Sequence, residues 1–187
     1  TGLGDSEGDF GRAGFATDVA DLVAVGSYLH DRFDSPILLV GHSLGGLLAL
    51  RACLDAQDLP PGRIVCLGSP LKGSSAARAF ASWGRGSEVL LGHNRELLEQ
   101  GFDAWGGTRE VGVIAGRMPI GLGAMLGHIE GEHDGTVAVD ETRLPGLAGH
   151  CVVETSHTGL LLSADVARLT TQFLREGRFD PAAIAVA

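Results

Sequence analysis

A chain of 187 residues, 44% of them hydrophobic, is long enough to bury one sizeable core and too apolar for a disordered polypeptide. Its formal net charge of −9, with no cluster of Lys or Arg anywhere, excludes the electrostatic footprint of a nucleic-acid binder and fits a small neutral substrate. No apolar run approaches the roughly 18 residues that would span a bilayer, so stable membrane insertion is not expected.

The opening stretch Thr1-Gly2-Leu3-Gly4-Asp5-Ser6-Glu7-Gly8 is turn-like and shows no signal-peptide pattern; any targeting signal would precede it. Across residues 17–33, apolar residues recur at Val19, Leu22, Val23, Gly26 and Leu29, a helical period, with Thr17 placed to cap and Asp18 and Asp21 in the first turn. An all-apolar run at 37–40 then reads as a strand covered on both faces. A helix over 44–56 follows and stops at Leu59-Pro60-Pro61-Gly62. Residues 63–67 form the next buried strand candidate and lead into the loop Gly68-Ser69-Pro70-Leu71-Lys72-Gly73.

The less regular segment 74–109 holds Trp83, Trp105 and two predicted helices, around 76–83 and 88–100; it reads either as a cap over a site or as cover for the sheet. Strand candidates at 111–115 and 151–154 bracket a Gly-rich apolar loop over 116–127, and a helix over 163–175 closes the chain. Strands alternating with helices predict an α/β fold, a mostly parallel sheet with helices on both faces in one domain over 1–187. Cys53, Cys66 and Cys151 lie in apolar stretches without metal-like spacing and read as reduced core thiols, which favours a reducing, cytoplasmic location.

Between the strand at 37–40 and the helix at 44–56 stands Gly41-His42-Ser43-Leu44-Gly45. In a chain with 29 glycines a G-x-S-x-G pattern arises by chance about one time in four, so its context has to decide. Here a strand precedes it and a helix follows, which is where a serine on a sharp turn needs glycines beside it to avoid steric collision. Ser43 is therefore a candidate nucleophile. A serine hydroxyl needs a base to take its proton and an acid to orient that base.

Among the seven histidines, His157 follows the strand at 151–154 and lies at the carboxyl edge of the sheet with Ser43. His150 would fall on the opposite edge, His42 reads as structural with its side chain away from Ser43, and His30, His93 and His128 read as solvated. Asp134 precedes His157 and gives the chain order Ser, Asp, His; the competing reading is that Asp134-Gly135 is only a turn. Asp140 and Glu141 are the reserve acids. Rival chemistries fail on spacing: His128 and His133 make no H-E-x-x-H, no G-x-x-x-x-G-K-[ST] loop occurs, and Gly2, Gly4 and Gly8 miss G-x-G-x-x-G. No metal and no cofactor is expected.

Gly-His-Ser-Leu-Gly-Gly, Leu-Gly-Ser-Pro-Leu-Lys-Gly-Ser, Asp-Gly-Thr-Val, Glu-Thr-Arg-Leu-Pro-Gly and the late Ser-His-Thr, spread over residues 36–179, together resemble a bacterial esterase or lipase of the α/β-hydrolase superfamily. The stretch 1–10 is also similar to the loop after the fourth strand in α/β-hydrolases, especially those fused to OsmC-like domains. The resemblance implies an α/β-hydrolase fold with Ser43 as nucleophile, Asp134 as acid, His157 as base and the Leu44 N–H as one oxyanion donor. It implies, too, that the N-terminal strands and the early loop supplying a second donor are absent, which leaves the strand at 37–40 as an exposed edge. The expected activity is hydrolysis of a small carboxylic ester through an acyl-enzyme, with Met118, Ile120, Leu122 and Met125 as a possible acyl pocket. A thioesterase or amidase with the same triad, and a non-catalytic fragment or binding domain with an incomplete oxyanion hole, are the alternatives.

Overall fold

The computed structural model describes residues 14–81, 95–121 and 129–180. Helix α1 (Phe15–Phe33) starts two residues before the expected position because Gly14, not Thr17, is its N-cap. Thr17 works from inside the first turn, its hydroxyl accepting from Gly14 N at 2.8 Å and donating to Gly14 O at 2.6 Å. The chain then runs through β1 (Leu39–His42), α2 (Leu44–Asp55), β2 (Ile64–Leu67), α3 (Ser75–Ala81), α4 (Arg95–Gln100), β3 (Val111–Gly116), β4 (Gly149–Val153) and α5 (Ala164–Glu176). Single turns of 3-10 helix lie at Val139–Thr142 and Gly159–Leu161.

All four strands are parallel, in the order β1-β2-β3-β4. The expected α/β architecture is therefore present. Pleat alternation divides the core in two. Ile64, Cys66, Val111 and Val113 pack with Leu47, Leu50 and Cys53 of α2, while Val65, Leu67, Ile114, Cys151 and Val153 pack with Val166, Leu169 and Phe173 of α5. Nine of these strand residues being apolar and buried is what a parallel sheet covered on two faces demands. All three cysteines are free and buried, and burial pushes the Cys66 and Cys151 thiols up to about 12, so they behave as protonated core groups.

β1 departs from that pattern. The pattern at 37–40 suggests a strand sealed on both faces, but the observed strand lies two residues later and only one of its faces is covered, by α2. α5 packs on β2 and β3, which leaves Leu38 and Val40 50% and 51% exposed. Among the described residues β1 is thus an edge strand, as the resemblance implied. β4 begins at Gly149, earlier than its apolar run suggests, because backbone pairing of Gly112 with Gly149 and of Val113 with His150 starts the ladder before the first hydrophobic residue.

No described helix is long and apolar enough to cross a membrane. The segment expected as a cap is seen only at its ends, as α3 and α4, which pack on each other; residues 82–94, with Trp83, fall outside the description.

Candidate active site

The carboxyl edge of a parallel sheet collects the loops that follow each strand, and three of them carry the residues singled out above. Ser43 follows β1 directly and is the N-cap of α2, with φ 55° and ψ −124°. A non-glycine residue at such angles costs about 1 to 3 kcal/mol and persists only where its surroundings enforce it. The enforcement is visible: Ser43 N donates to Leu67 O at 2.9 Å, fastening the turn to the end of β2, and Gly46 N donates to Ser43 O at 3.2 Å. A side chain on Gly41 would overlap the Gly45 carbonyl and one on Gly46 would overlap Ser69, so the tight turn depends on both. Gly45 corrects the steric expectation, since a methyl group there meets nothing within 4 Å among the described residues.

Asp134 follows β3 and is 1% exposed. One carboxylate oxygen accepts the N–H groups of Thr136 at 2.9 Å and Val137 at 2.7 Å, which makes the Asp134-Gly135 turn. Its other oxygen is 2.8 Å from His157 Nδ1. The turn and the contact with His157 use different oxygens of the same carboxylate. His157, in the loop after β4, also donates its backbone N–H to Asp134 O at 2.8 Å. With Nδ1 committed to the carboxylate, Nε2 is the nitrogen left for a reacting group.

Two glycines missed by sequence reasoning let this pair settle onto the sheet. Gly68, at the end of β2 with φ 52°, lies where a Cβ would come 2.9 Å from Asp134 Oδ2 and 3.1 Å from His157 Nδ1. At Gly116, the last residue of β3, a Cβ would come 2.9 Å from the Asp134 Cβ and overlap Thr155 O. The available signal was their position: each directly ends a buried apolar run, where the chain must turn without bulk.

Ser43 Oγ makes no hydrogen bond to His157 among the described residues; catalytic contacts of this kind often tighten only with substrate bound. The link between the two loops runs through His42, whose Nε2 lies 3.0 Å from His157 O and whose ring centroid is 4.5 Å from that of His157. Burial, the largest influence, holds His42 below the ordinary histidine value. The reserve acids are engaged elsewhere. Asp140 is paired with Arg143 at 3.6 Å on the surface, and the Glu141 carboxylate accepts from Ser75 N at 2.5 Å and Ala138 N at 3.0 Å, tying the acid loop to the start of α3. His150 bonds Thr142 Oγ1 at 2.8 Å at the other end of β4.

Leu44 is the first residue of α2, where the N–H has no intrahelical acceptor and the helix dipole is positive. Met118 and Ile120 are 37% and 65% exposed on the loop after β3, whose Ile120 backbone approaches Gly135; Leu122 and Met125 lie outside the described residues. The described residues contain no group of His, Cys, Asp and Glu able to hold a metal ion. A cavity of about 850 Å³ lined by Leu38, Arg63, Arg109 and Glu110 lies at the opposite end of the sheet, and none of the site residues borders it.

This arrangement of sheet and loops has relatives. A family model described as the alpha/beta hydrolase family matches residues 1–183, and the chain belongs to that family. A search of curated protein sequences returns no match. Among solved structures, the mature form of the lipase BlEst2 from Bacillus licheniformis aligns over 77% of this chain and 67% of its own length, with 23% identity and a TM-score of 0.63. The propeptide form of the same lipase aligns with a TM-score of 0.66, and the present chain spans only 37% of it. The meta-cleavage product hydrolase CumD from Pseudomonas fluorescens aligns over 95% of this chain and 78% of its own at 13% identity and a TM-score of 0.63. At these identities the likeness establishes the shared fold.

Proposed function

We propose that the chain is a serine hydrolase of carboxylic esters that works through an acyl-enzyme. The observation that carries this reading is the pairing of His157 Nδ1 with the buried Asp134 carboxylate at 2.8 Å, on the same sheet edge as a serine held at φ 55°. In the proposed cycle His157 Nε2 takes the proton of Ser43 Oγ as the oxygen attacks the ester carbonyl, and it later returns that proton to the departing alkoxide. Asp134 keeps the imidazole in the tautomer with hydrogen on Nδ1 and stabilises the imidazolium that forms. The Leu44 N–H, at the positive end of α2, receives the developing oxyanion. Water then repeats the sequence on the acyl-Ser43 ester and releases the acid. Met118 and Ile120, apolar and exposed beside the acid loop, are placed to flank the acyl group.

Esters are favoured over amides because an alkoxide departs more readily than an amine when a single described donor supports the oxyanion. Turnover of matched p-nitrophenyl ester, thioester and anilide substrates tests the assignment: the ester should be cleaved fastest, and S43A should remove that activity. Faster cleavage of the thioester or anilide would replace the ester reading with one of the alternatives on the same triad. The remaining reading, a fragment or binding domain that keeps the triad but lacks a complete oxyanion hole, predicts that none of the three substrates is cleaved.

A further inference from the structure

The sequence gives no reason to connect the residue before the nucleophile with the base, 115 positions away; the structure joins them. His157 is held by its backbone N–H and by ring Nδ1, and both bonds go to the same partner, Asp134. A third bond comes from another element, from His42 Nε2 at the end of β1 to the His157 carbonyl at 3.0 Å. Because a carbonyl only accepts, His42 must carry its hydrogen on Nε2 and act as donor.

We infer that His42 is a positioning residue for the base: its Nε2–H holds the His157 main chain, so that β1, the strand whose last residue directly precedes Ser43, also sets the placement of His157 Nε2. This rests on the reading of Ser43, Asp134 and His157 as a triad. The tilted contact of the two rings, with centroids 4.5 Å apart and planes at 45°, adds a second contact to the same loop. Charge on His42 would sit against the imidazolium formed during the reaction, so the role requires a neutral ring. Its burial supplies that, keeping it below the ordinary histidine value despite the opposing influence of the His157 carbonyl and of Asp134. The end of β1 thus leads directly into the proposed nucleophile and steadies the base from the residue before it.

Two substitutions separate this from a purely structural role: H42F keeps a ring but removes the donor, and H42Q replaces the donor with an amide N–H of similar reach. With p-nitrophenyl acetate, H42F should lose about 10- to 100-fold in kcat, the scale of a misplaced catalytic group, while KM changes less than about threefold. H42Q should recover most of the loss. The low-field Nδ1 proton of His157, read by NMR on the same proteins, should be sharp in the wild type and H42Q and broadened in H42F. Should H42F not fold, as judged by its thermal melt, H42N takes its place, since its shorter amide cannot reach the carbonyl. Wild-type kcat together with a sharp proton in H42F would overturn the inference, as would a loss in H42Q equal to that in H42F. If the wild type turns over no ester yet the proton follows the expected pattern, the ester reading fails and the positioning role stands.

Discussion

At the scale of single residues the site is built on strain held in place by hydrogen bonds. Ser43 sits at angles that glycine adopts freely and serine only at a cost, and the bond from its N–H to Leu67 O, with the closeness of Gly41 to Gly45, keeps it there. A stability consequence follows. S43G should be more stable than S43A by about 1 kcal/mol, because alanine retains the strain that glycine relieves. Denaturant melts of the two variants check this, and equal stabilities would mean that the turn is not strained in solution. The positions of Ser43, Asp134 and His157 at one sheet edge were legible from their order, since each follows a strand or precedes a helix. His42 was not legible as a partner of His157, because a contact across 115 residues leaves no periodicity to read.

Among the elements, the sheet's carboxyl ends do the positioning, and glycine decides how closely the loops approach. Gly68 separates the end of β2 from Asp134 and His157, so G68A introduces a Cβ 2.9 Å from Asp134 Oδ2 at a backbone angle that disfavours side chains. Displacing the acid–base pair by about 1 Å should lower ester turnover on the order of 100-fold, with a lower melting temperature. Wild-type turnover in G68A, measured on folded protein, would show that the pair does not depend on this close approach. Strand and helix order could be read from apolar runs at β2 and β3, whose residues are all buried. Boundaries were harder where the backbone overrode the side-chain pattern: α1 starts at its Gly14 cap, and β4 starts on Gly149 and His150, which no hydrophobic pattern marks. Gly45 shows the converse, a motif glycine at which a Cβ would meet nothing within 4 Å among the described residues.

Taken as a whole, the described sheet is fully buried at its two central strands, β2 and β3, and has an open flank at β1, where Leu38 and Val40 are half exposed. That flank was anticipated from the resemblance, not from hydrophobicity, because an all-apolar strand looks the same whether or not a neighbour covers it. Global stability should carry a signature of His150, which burial and the nearby Arg143 guanidinium pull from 6.5 down to about 4. An imidazole lowered in the native state binds its proton more readily when the chain is unfolded. Stability therefore falls as the pH drops from about 6.5 toward 4, and His42, also lowered, acts in the same direction. H150Q, which keeps a donor toward Thr142, should flatten that fall in urea melts across the window; an unchanged slope would refute the assignment. The central claim is that Ser43 is an activated nucleophile served by His157 and Asp134. Its most direct test is fluorophosphonate labelling of the folded chain with peptide mapping by mass spectrometry. The adduct should fall on Ser43 in the wild type, be absent from S43A and form far more slowly in H157A; a folded wild-type chain that stays unlabelled, or is labelled elsewhere, would contradict it.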